Sequence, residues 1–178
     1  MANYVLENRC KPEEIRAKRK ELKMTQKEFA EFTGVSKPTV ERWENSKTDV
    51  VGPIALLIKM LTPEYLEDIS IPERTAPLRM WYMYKDIRCT LIDVNEAKQS
   101  VSIKNYTDRV QFRAFGIIEK PSFKDFEDFL EERCFSKNRD KLKLVLDDLD
   151  LPFYDPYLII EKTEGRMAED DFWILVEK

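Results

Sequence analysis

The sequence predicts two domains, a mainly α N-terminal domain and an α+β C-terminal domain whose antiparallel sheet has helices packed on one face. Apolar residues recur at helical spacing up to residue 69, whereas from residue 78 they alternate with a period of two before helical spacing returns. Between the two patterns, residues 70–77 (SIPERTAP) hold two prolines and show no periodicity, which is typical of a linker. We therefore expect domains at residues 1–69 and 78–178, joined by this linker.

Residues 25–44, TQKEFAEFTGVSKPTVERWE, predict two short helices with a tight turn between them. Ala30 is small enough for the helices to cross closely, and Gly34 falls where the first helix ends, in a left-handed conformation that costs glycine little. Val40 and Trp43, three residues apart, would point into the shared core. This spacing is typical of a helix-turn-helix, whose second helix lies in the major groove of DNA.

Local signals predict the neighbouring elements of the N-terminal domain. Thr25 and Glu28 form a capping box for the first helix of the motif, and Ser36 is a natural N-cap for the second. We expect an irregular arm at residues 1–12. We also expect one helix before the motif, near residues 13–23, and two after it, near residues 54–61 and 63–69.

The C-terminal domain begins with four segments of alternating apolar and polar residues, which predict a four-stranded meander with one solvated face. These segments are residues 80–84, 89–94, 100–104 and 109–114. Ser122 and Asp125 form a second capping box, and helical periodicity then predicts helices that begin there, near residue 142 and at residues 155–156. Residues 172–176 are continuously apolar and predict a closing strand buried on both faces.

Composition argues against metal sites and catalysis. The chain has no histidine and three isolated cysteines, so a zinc site is not expected and a reducing cytoplasm is the natural compartment. The commonest general base is missing, and no nucleophile–base pair or phosphate loop is present. No apolar run is long enough to span a membrane, and no signal peptide is expected. We therefore expect this chain to have no catalytic residues, no bound metal and no cofactor.

Charge is distributed unevenly along the chain. Residues 1–62 hold 12 Lys and Arg against 9 Asp and Glu, whereas residues 63–178 hold 18 against 25. A mildly basic first part of the chain followed by an acidic remainder suits a protein whose first part meets phosphates.

Residues 13–61 resemble the DNA-binding domain of the phage-repressor/Cro-like (XRE) superfamily. Within them, the stretch VSKPTVERWE with VGPIALLIKML most resembles bacterial antitoxins of the HigA/MqsA type. The resemblance implies a helix-turn-helix fold and operator binding for this N-terminal third alone. The MqsA group carries a cysteine zinc module before its DNA-binding domain, whereas this chain has only Cys10 there.

The predicted second helix offers three candidate DNA contacts. Arg42 can form a bidentate pair with guanine, Thr39 can touch a thymine methyl or a phosphate, and Lys37 can contact guanine or only phosphate. Gln26 and Lys47 are candidate phosphate anchors, which position a protein on DNA without reading the bases. Because one such domain buries little surface, we expect a homodimer on an inverted repeat in double-stranded DNA, with half-sites roughly 34 Å apart.

Two features of the C-terminal domain have competing interpretations. Arg109, Gln111 and Arg113, with Lys104, could form a basic strip, or could belong to an ordinary solvated sheet face. The charged residues between 162 and 171 could bind metal or act as acid and base, or could form a solvated turn. The ordinary interpretation is favoured in both cases.

The first functional hypothesis is therefore a DNA-binding autorepressor whose residues 78–178 bind a protein partner, as a toxin is bound by its antitoxin. The alternative is a one-component repressor whose C-terminal domain senses a small ligand or only dimerises. An enzyme with a DNA-binding domain is a third hypothesis, which no motif supports.

Overall fold

The computed structural model describes residues 8–177, which form two compact units. The first, unit 1, ends at Ile71, and the second, unit 2, begins at Pro72. Unit 1 is helical and unit 2 combines an antiparallel sheet with helices, which confirms the predicted fold class.

Unit 1 is a cluster of short helices with a small hairpin beside it. Its helices are α1 (Pro12–Glu21), α2 (Gln26–Thr33), α3 (Lys37–Glu44), α4 (Pro53–Met60) and α5 (Pro63–Ile69). The prediction of an irregular arm is wrong for Arg9–Cys10 (β1), which pairs antiparallel with Val50–Val51 (β2). This pairing buries Cys10, and residues 1–7 of the predicted arm lie outside the described residues.

The turn between α2 and α3 follows the local sequence signals closely. Gly34 adopts φ +70° at the end of α2, as predicted. Thr25 and Glu28 make both hydrogen bonds of the capping box. Ser36 occupies the N-cap position of α3, but its hydroxyl pairs with the Thr39 hydroxyl at 2.9 Å instead of accepting from the backbone.

Unit 2 contains a four-stranded antiparallel sheet of order β5-β4-β3-β6. Its strands are β3 (Leu78–Tyr84), β4 (Ile87–Asn95), β5 (Ser100–Asn105) and β6 (Phe172–Glu177). Helices α6 (Phe123–Glu132), α7 (Leu142–Asp148) and α8 (Pro156–Thr163) complete the unit. Buried residues of α6, α7 and α8 share one core with the face of the sheet that includes Met80, Ile92 and Ile174.

The predicted fourth strand at residues 109–114 is wrong, because Val110–Phe112 is a 3₁₀ turn. Backbone groups here bond outside the sheet ladder: the Ala114 N–H donates to the Thr90 hydroxyl, and the Arg113 guanidinium donates to the Thr107 carbonyl. The fourth strand is β6, which pairs with β3. Its predicted burial on both faces is also wrong, since Leu175 is exposed while Ile174 is buried.

The outer edge of β6 is covered by groups from its own unit. The Ile174 N–H donates to the Glu164 carbonyl at 2.7 Å, and the Arg133 guanidinium, at the end of α6, donates to the Phe172 carbonyl at 2.8 Å. Arg133 also donates to the Gly165 carbonyl and to both carboxylate oxygens of Asp170. These bonds satisfy an edge that could otherwise pair with another chain.

We predict that Arg133→Met destabilises unit 2 by about 3 kcal/mol, because it leaves the Asp170 carboxylate and two carbonyls without their buried donor. Urea unfolding of the full chain measures the loss. Lys124→Met, which removes the cation of an exposed pair with Asp128 on the same helix, should leave the midpoint unchanged. Equal stability of the Arg133→Met variant and the native chain would contradict this role.

Candidate nucleic-acid interface

Helix α3 has one buried side and one exposed side. Val40 is fully buried in the core of unit 1 and Glu44 is 4% exposed, whereas Lys37 and Arg42 face solvent. Trp43 is partly buried and packs against the same core, consistent with its predicted role. Helix α3 therefore offers two exposed cations that are five residues, or about 1.4 helical turns, apart.

The buried carboxylate of Glu44 connects α3 to both preceding helices. Its Oε1 accepts from Arg19 Nε at 2.6 Å, and its Oε2 accepts from Arg19 Nη2 at 3.1 Å and from Gln26 Nε2 at 2.9 Å. Arg19 belongs to α1 and Gln26 is the first residue of α2. One side chain thus fixes the orientation of α3 relative to both helices.

A second arginine of α1 binds the end of α3. Arg16 Nη2 donates to the Glu44 carbonyl at 2.6 Å and to Asn45 Oδ1 at 3.4 Å, and Arg16 Nε lies 3.9 Å from Glu44 Oε2. A cation at this position is favourable because the last carbonyls of a helix carry partial negative charge. It also offsets the cost of placing the Glu44 carboxylate at that end.

The hydrogen bonds keep Glu44 ionised despite its burial. Burial alone would raise the pKa of this carboxyl, but the donors Arg19 and Gln26, together with the positive charges of Arg19 and Arg16, outweigh it and lower the pKa below its usual value. Glu44 is therefore a charged, fully engaged group at neutral pH.

Of the predicted DNA contacts, Arg42 and Lys47 are the least constrained. Both side chains are exposed, and among residues 8–177 neither has a hydrogen-bond or ion-pair partner. Arg42 lies on the exposed side of α3, and Lys47 lies in the loop between α3 and β2. Each can therefore bind a phosphate or a base without first breaking a contact within the protein.

The other three predicted contacts are engaged within unit 1. Lys37 forms an exposed ion pair with Glu41 at 3.3 Å, and the hydroxyl of the partly buried Thr39 bonds to Ser36. Gln26 gives one amide N–H to Glu44. That amide nitrogen carries a second N–H, which remains as a donor for a phosphate.

The sequence analysis assigned no role to Arg16, Arg19 or Glu44, which connect α1 to α3. A signal was present, because Arg19 falls on the apolar face of α1 and Glu44 lies one turn after the buried Val40. Opposite charges on two buried helix faces favour an ion pair.

The charged side chains of the two features of unit 2 have separate partners instead of converging on one point. Residues 110–112 form a 3₁₀ turn, so both interpretations of Arg109 and Arg113 as residues of one sheet face are wrong. The Arg109 guanidinium lies over the Phe112 ring, and the Arg113 guanidinium donates to the Thr107 carbonyl. Among the charged residues between 162 and 171, each of three carboxylates forms an ion pair with a different cation. The pairs are Glu164 with Arg166, Asp170 with Arg133, and Asp171 with Lys85. Within the described residues, no cluster of three or more His, Cys, Asp or Glu is arranged to hold a metal ion.

The cysteines are also unsuited to reactivity. Cys10, Cys89 and Cys134 are free and buried. Burial, with the nearby carboxylates Asp155 and Glu131, raises the pKa of Cys134 to about 12, so its thiol stays protonated at neutral pH.

No helix among residues 8–177 has the length and apolar character needed to cross a membrane.

Comparison with known proteins identifies the motif but not the rest of the chain. Residues 15–50 match the model of a family described as helix-turn-helix, and this match supports the resemblance to XRE-type DNA-binding regulators. It covers 36 of the 178 residues and includes α2, α3 and the network around Glu44. No curated protein and no solved structure matches the chain.

We predict that Arg19→Met destabilises unit 1 by about 3 kcal/mol, because the buried Glu44 carboxylate loses its bidentate partner. Urea unfolding measures the total loss, and hydrogen–deuterium exchange of the α1 and α3 amides locates it. Lys27→Met, which removes the cation of the exposed pair with Glu31, should change neither measurement. Unaltered exchange in α1 and α3 of the Arg19→Met variant would show that packing alone holds these helices.

The stabilisation from Glu44 should depend on pH. Because its pKa is lowered in the folded state, the contribution is present above the unfolded pKa of about 4.3 and is lost as pH falls through the folded value. The difference in unfolding free energy between the native chain and Glu44→Gln should therefore shrink between about pH 7 and about pH 3. A difference that stays constant over this range would mean that the charge of Glu44 contributes nothing.

Proposed function

Starting from the XRE-type helix-turn-helix of residues 15–50, we propose that this protein is a sequence-specific DNA-binding transcriptional repressor. It binds its own promoter as a dimer on an inverted repeat, and unit 2 binds a protein partner, as in antitoxin-like autoregulators. The chain then acts by binding and not by catalysis.

The observation that carries this proposal is the exposed Arg42, which has no partner among residues 8–177, on a helix whose orientation is fixed by buried hydrogen bonds. A guanidinium presents two parallel donors that match the O6 and N7 acceptors of guanine in the major groove. Reading a base requires that this fork be held at one angle, and the Glu44 network supplies the rigid support.

The contacts around Arg42 would position the protein on the DNA backbone. Lys47 lies in the loop after α3, and Gln26 lies at the start of α2, where backbone N–H groups and the helix dipole favour a phosphate. Lys37 and Thr39 lie in the first turn of α3, the part of a recognition helix that meets base edges. A dimer would present two such helices to half-sites about 34 Å apart.

The proposal of a protein partner rests on the surface of unit 2. Large apolar side chains are exposed there, among them Ile117 (81% exposed), Ile118 and Phe153. Ile117 and Ile118 are neighbours in the chain, and contiguous exposed apolar groups are typical of surfaces that bind proteins. Two clefts of unit 2 have volumes of about 250 and 270 Å³, which is below the range of about 300–1,000 Å³ usual for small-molecule pockets.

We expect Arg42→Ala to weaken binding to the upstream DNA by about 1–3 kcal/mol and to relax specificity at one base pair. Lys47→Ala should weaken binding equally to all sequences and reduce the salt slope by about one. Fluorescence anisotropy of the purified full chain on its own upstream DNA and on shuffled DNA, across a salt series, measures both effects.

Lys143→Ala, which changes an exposed lysine of α7 in unit 2, is the matched control and should leave both quantities unchanged. Binding to upstream DNA no tighter than to shuffled DNA would overturn the proposed function. If Arg42→Ala bound like the native chain, the exposed side of α3 would not be the reading surface.

A further inference from the structure

The two edges of the sheet in unit 2 differ in what covers them. At the β6 edge, the Ile174 N–H donates to the Glu164 carbonyl, and the Phe172 carbonyl accepts from Arg133. The other edge is β5, whose position at the end of the strand order leaves one side of its backbone without a neighbouring strand. An edge of this kind is a template for pairing with another chain unless it is covered.

The register of β5 with β4 shows which backbone groups point away from the sheet. In an antiparallel pair, residues that exchange both hydrogen bonds with the partner strand alternate with residues that direct both groups away from it. The Tyr106 N–H donates to the Cys89 carbonyl at 2.9 Å and continues this register, so Ser102 also bonds towards β4. Val101 and Ile103 therefore direct their N–H and carbonyl groups outwards, where no hydrogen-bond partner is present among residues 8–177.

The side chains at the β5 edge are also incompletely covered. Val101 and Ile103 lie on the face of the sheet that packs against the helices, but both are only partly buried. Their cross-strand partners Val94 and Ile92 are 0% exposed, and Ile174 at the covered edge is 1% exposed. A further strand beside β5 would bury these two side chains and extend the apolar core.

The outward groups restrict the chemistry of what can bind there. Each of the two residues offers one donor and one acceptor, and the two sets lie about 6.8 Å apart, which is the advance of two residues along a strand. A phosphate offers acceptors alone and would leave both carbonyls unpaired, whereas an extended polypeptide offers donors and acceptors at the same spacing. The edge is therefore suited to a strand of another protein.

Charge around the edge favours a basic strand. A cleft between α6 and α8 includes Glu96, in the 3₁₀ turn that leads into β5. Among the described residues that line this cleft, four are acidic and one is basic: Glu96, Glu127, Glu131, Asp155 and Lys124. Glu96 and Glu127 are exposed and have no hydrogen-bond or ion-pair partner within the described part of the chain. A lysine or arginine beside β5 would be attracted to them, whereas a second copy, whose residues 72–178 carry 22 Asp and Glu against 18 Lys and Arg, would bring the same excess of carboxylates.

We propose that the β5 edge binds an extended segment of a protein partner as a fifth strand, antiparallel to β5 like the other pairs of this sheet. The backbone of the segment pairs with the outward groups of Val101 and Ile103, and its apolar side chains cover the same two residues. A lysine or arginine at one end pairs with Glu96 and Glu127. The inference rests on the proposed function, in which unit 2 binds a protein partner, and it names the binding surface and the form of the bound segment.

Peptide binding to the full chain tests the pairing. The probe is a fluorescein-labelled peptide, Lys-Thr-Val-Thr-Val-Thr-Lys, whose valines and lysines lie on one face of a strand. The native chain should bind it with a dissociation constant below about 1 mM, and the same peptide N-methylated at both valines should bind at least about tenfold more weakly, because it lacks the donors to β5. A peptide with glutamate in place of both lysines should also bind at least about tenfold more weakly.

Two variants of the chain separate the contribution of the backbone from that of the charges. Val101→Pro removes an outward N–H that the sheet does not use, a substitution that edge strands tolerate, and it should weaken binding of the basic peptide at least about tenfold. Glu96→Lys/Glu127→Lys should weaken it by a similar factor. Glu132→Lys, which changes an exposed carboxylate of α6 outside the cleft, is the matched control and should bind like the native chain.

Amide hydrogen exchange followed by NMR locates the contact. The Val101 and Ile103 amides should exchange rapidly in the free chain and become protected when the basic peptide binds. The inference would be overturned if the native chain did not bind the peptide, or if binding survived N-methylation or Val101→Pro. Protection of these amides that rises with protein concentration without peptide would place a second copy at the edge and would also overturn it.

DNA binding separates this inference from the proposed function. Val101→Pro should bind the upstream DNA like the native chain, because β5 lies in unit 2 and the helix-turn-helix in unit 1. Peptide pairing by a chain that shows no sequence-specific DNA binding would overturn the proposed function alone. Specific DNA binding by a chain that does not pair with the peptide would overturn the inference alone.

Discussion

The buried carboxylate of Glu44 is the constraint on which unit 1 depends. A charge removed from water must be surrounded by donors, and those donors come from α1 and α2. Apolar packing tolerates small shifts between helices, whereas three hydrogen bonds of 2.6–3.1 Å to one group do not. The orientation of α3 is therefore set by directed bonds as well as by the fit of Val40 and Ala30 in the core.

Unit 2 also contains a buried charged side chain, which is a cation instead of an anion. Arg133, buried after the last turn of α6, directs its donors to two carbonyls and a carboxylate near the edge strand β6. In both units a buried charged side chain at the end of a helix binds groups that are distant in sequence. If such a group loses a single partner, an uncompensated charge is left in the interior. These groups therefore favour one arrangement of the chain over its near alternatives.

Signals that act over a few residues could be predicted from the sequence, and pairings across the chain could not. The left-handed Gly34 and the capping boxes at Thr25 and Ser122 depend on neighbouring residues. Alternation at residues 109–114 looked like that of a strand, but only the pairing of β6 with β3, from the far end of the unit, decides which segment completes the sheet. The Arg19–Glu44 pair is long-range in the same sense, so local pattern identified the exposed side of α3 and missed its buried support.

Contacts within the protein also distinguish the candidate DNA-binding residues from one another. Charge and exposure alone make Lys37 and Arg42 equivalent, since both are exposed cations of α3. The structure separates them, because Lys37 must exchange its contact with Glu41 for any contact with DNA, and the Glu41 carboxylate would then lie near phosphates. Arg42 has no partner to exchange within the part of the chain that the structure describes, and its planar fork distinguishes guanine from other bases, which an ammonium does less well. Sequence discrimination should therefore reside mainly in Arg42, and Lys37 should contribute mainly to affinity that depends on salt.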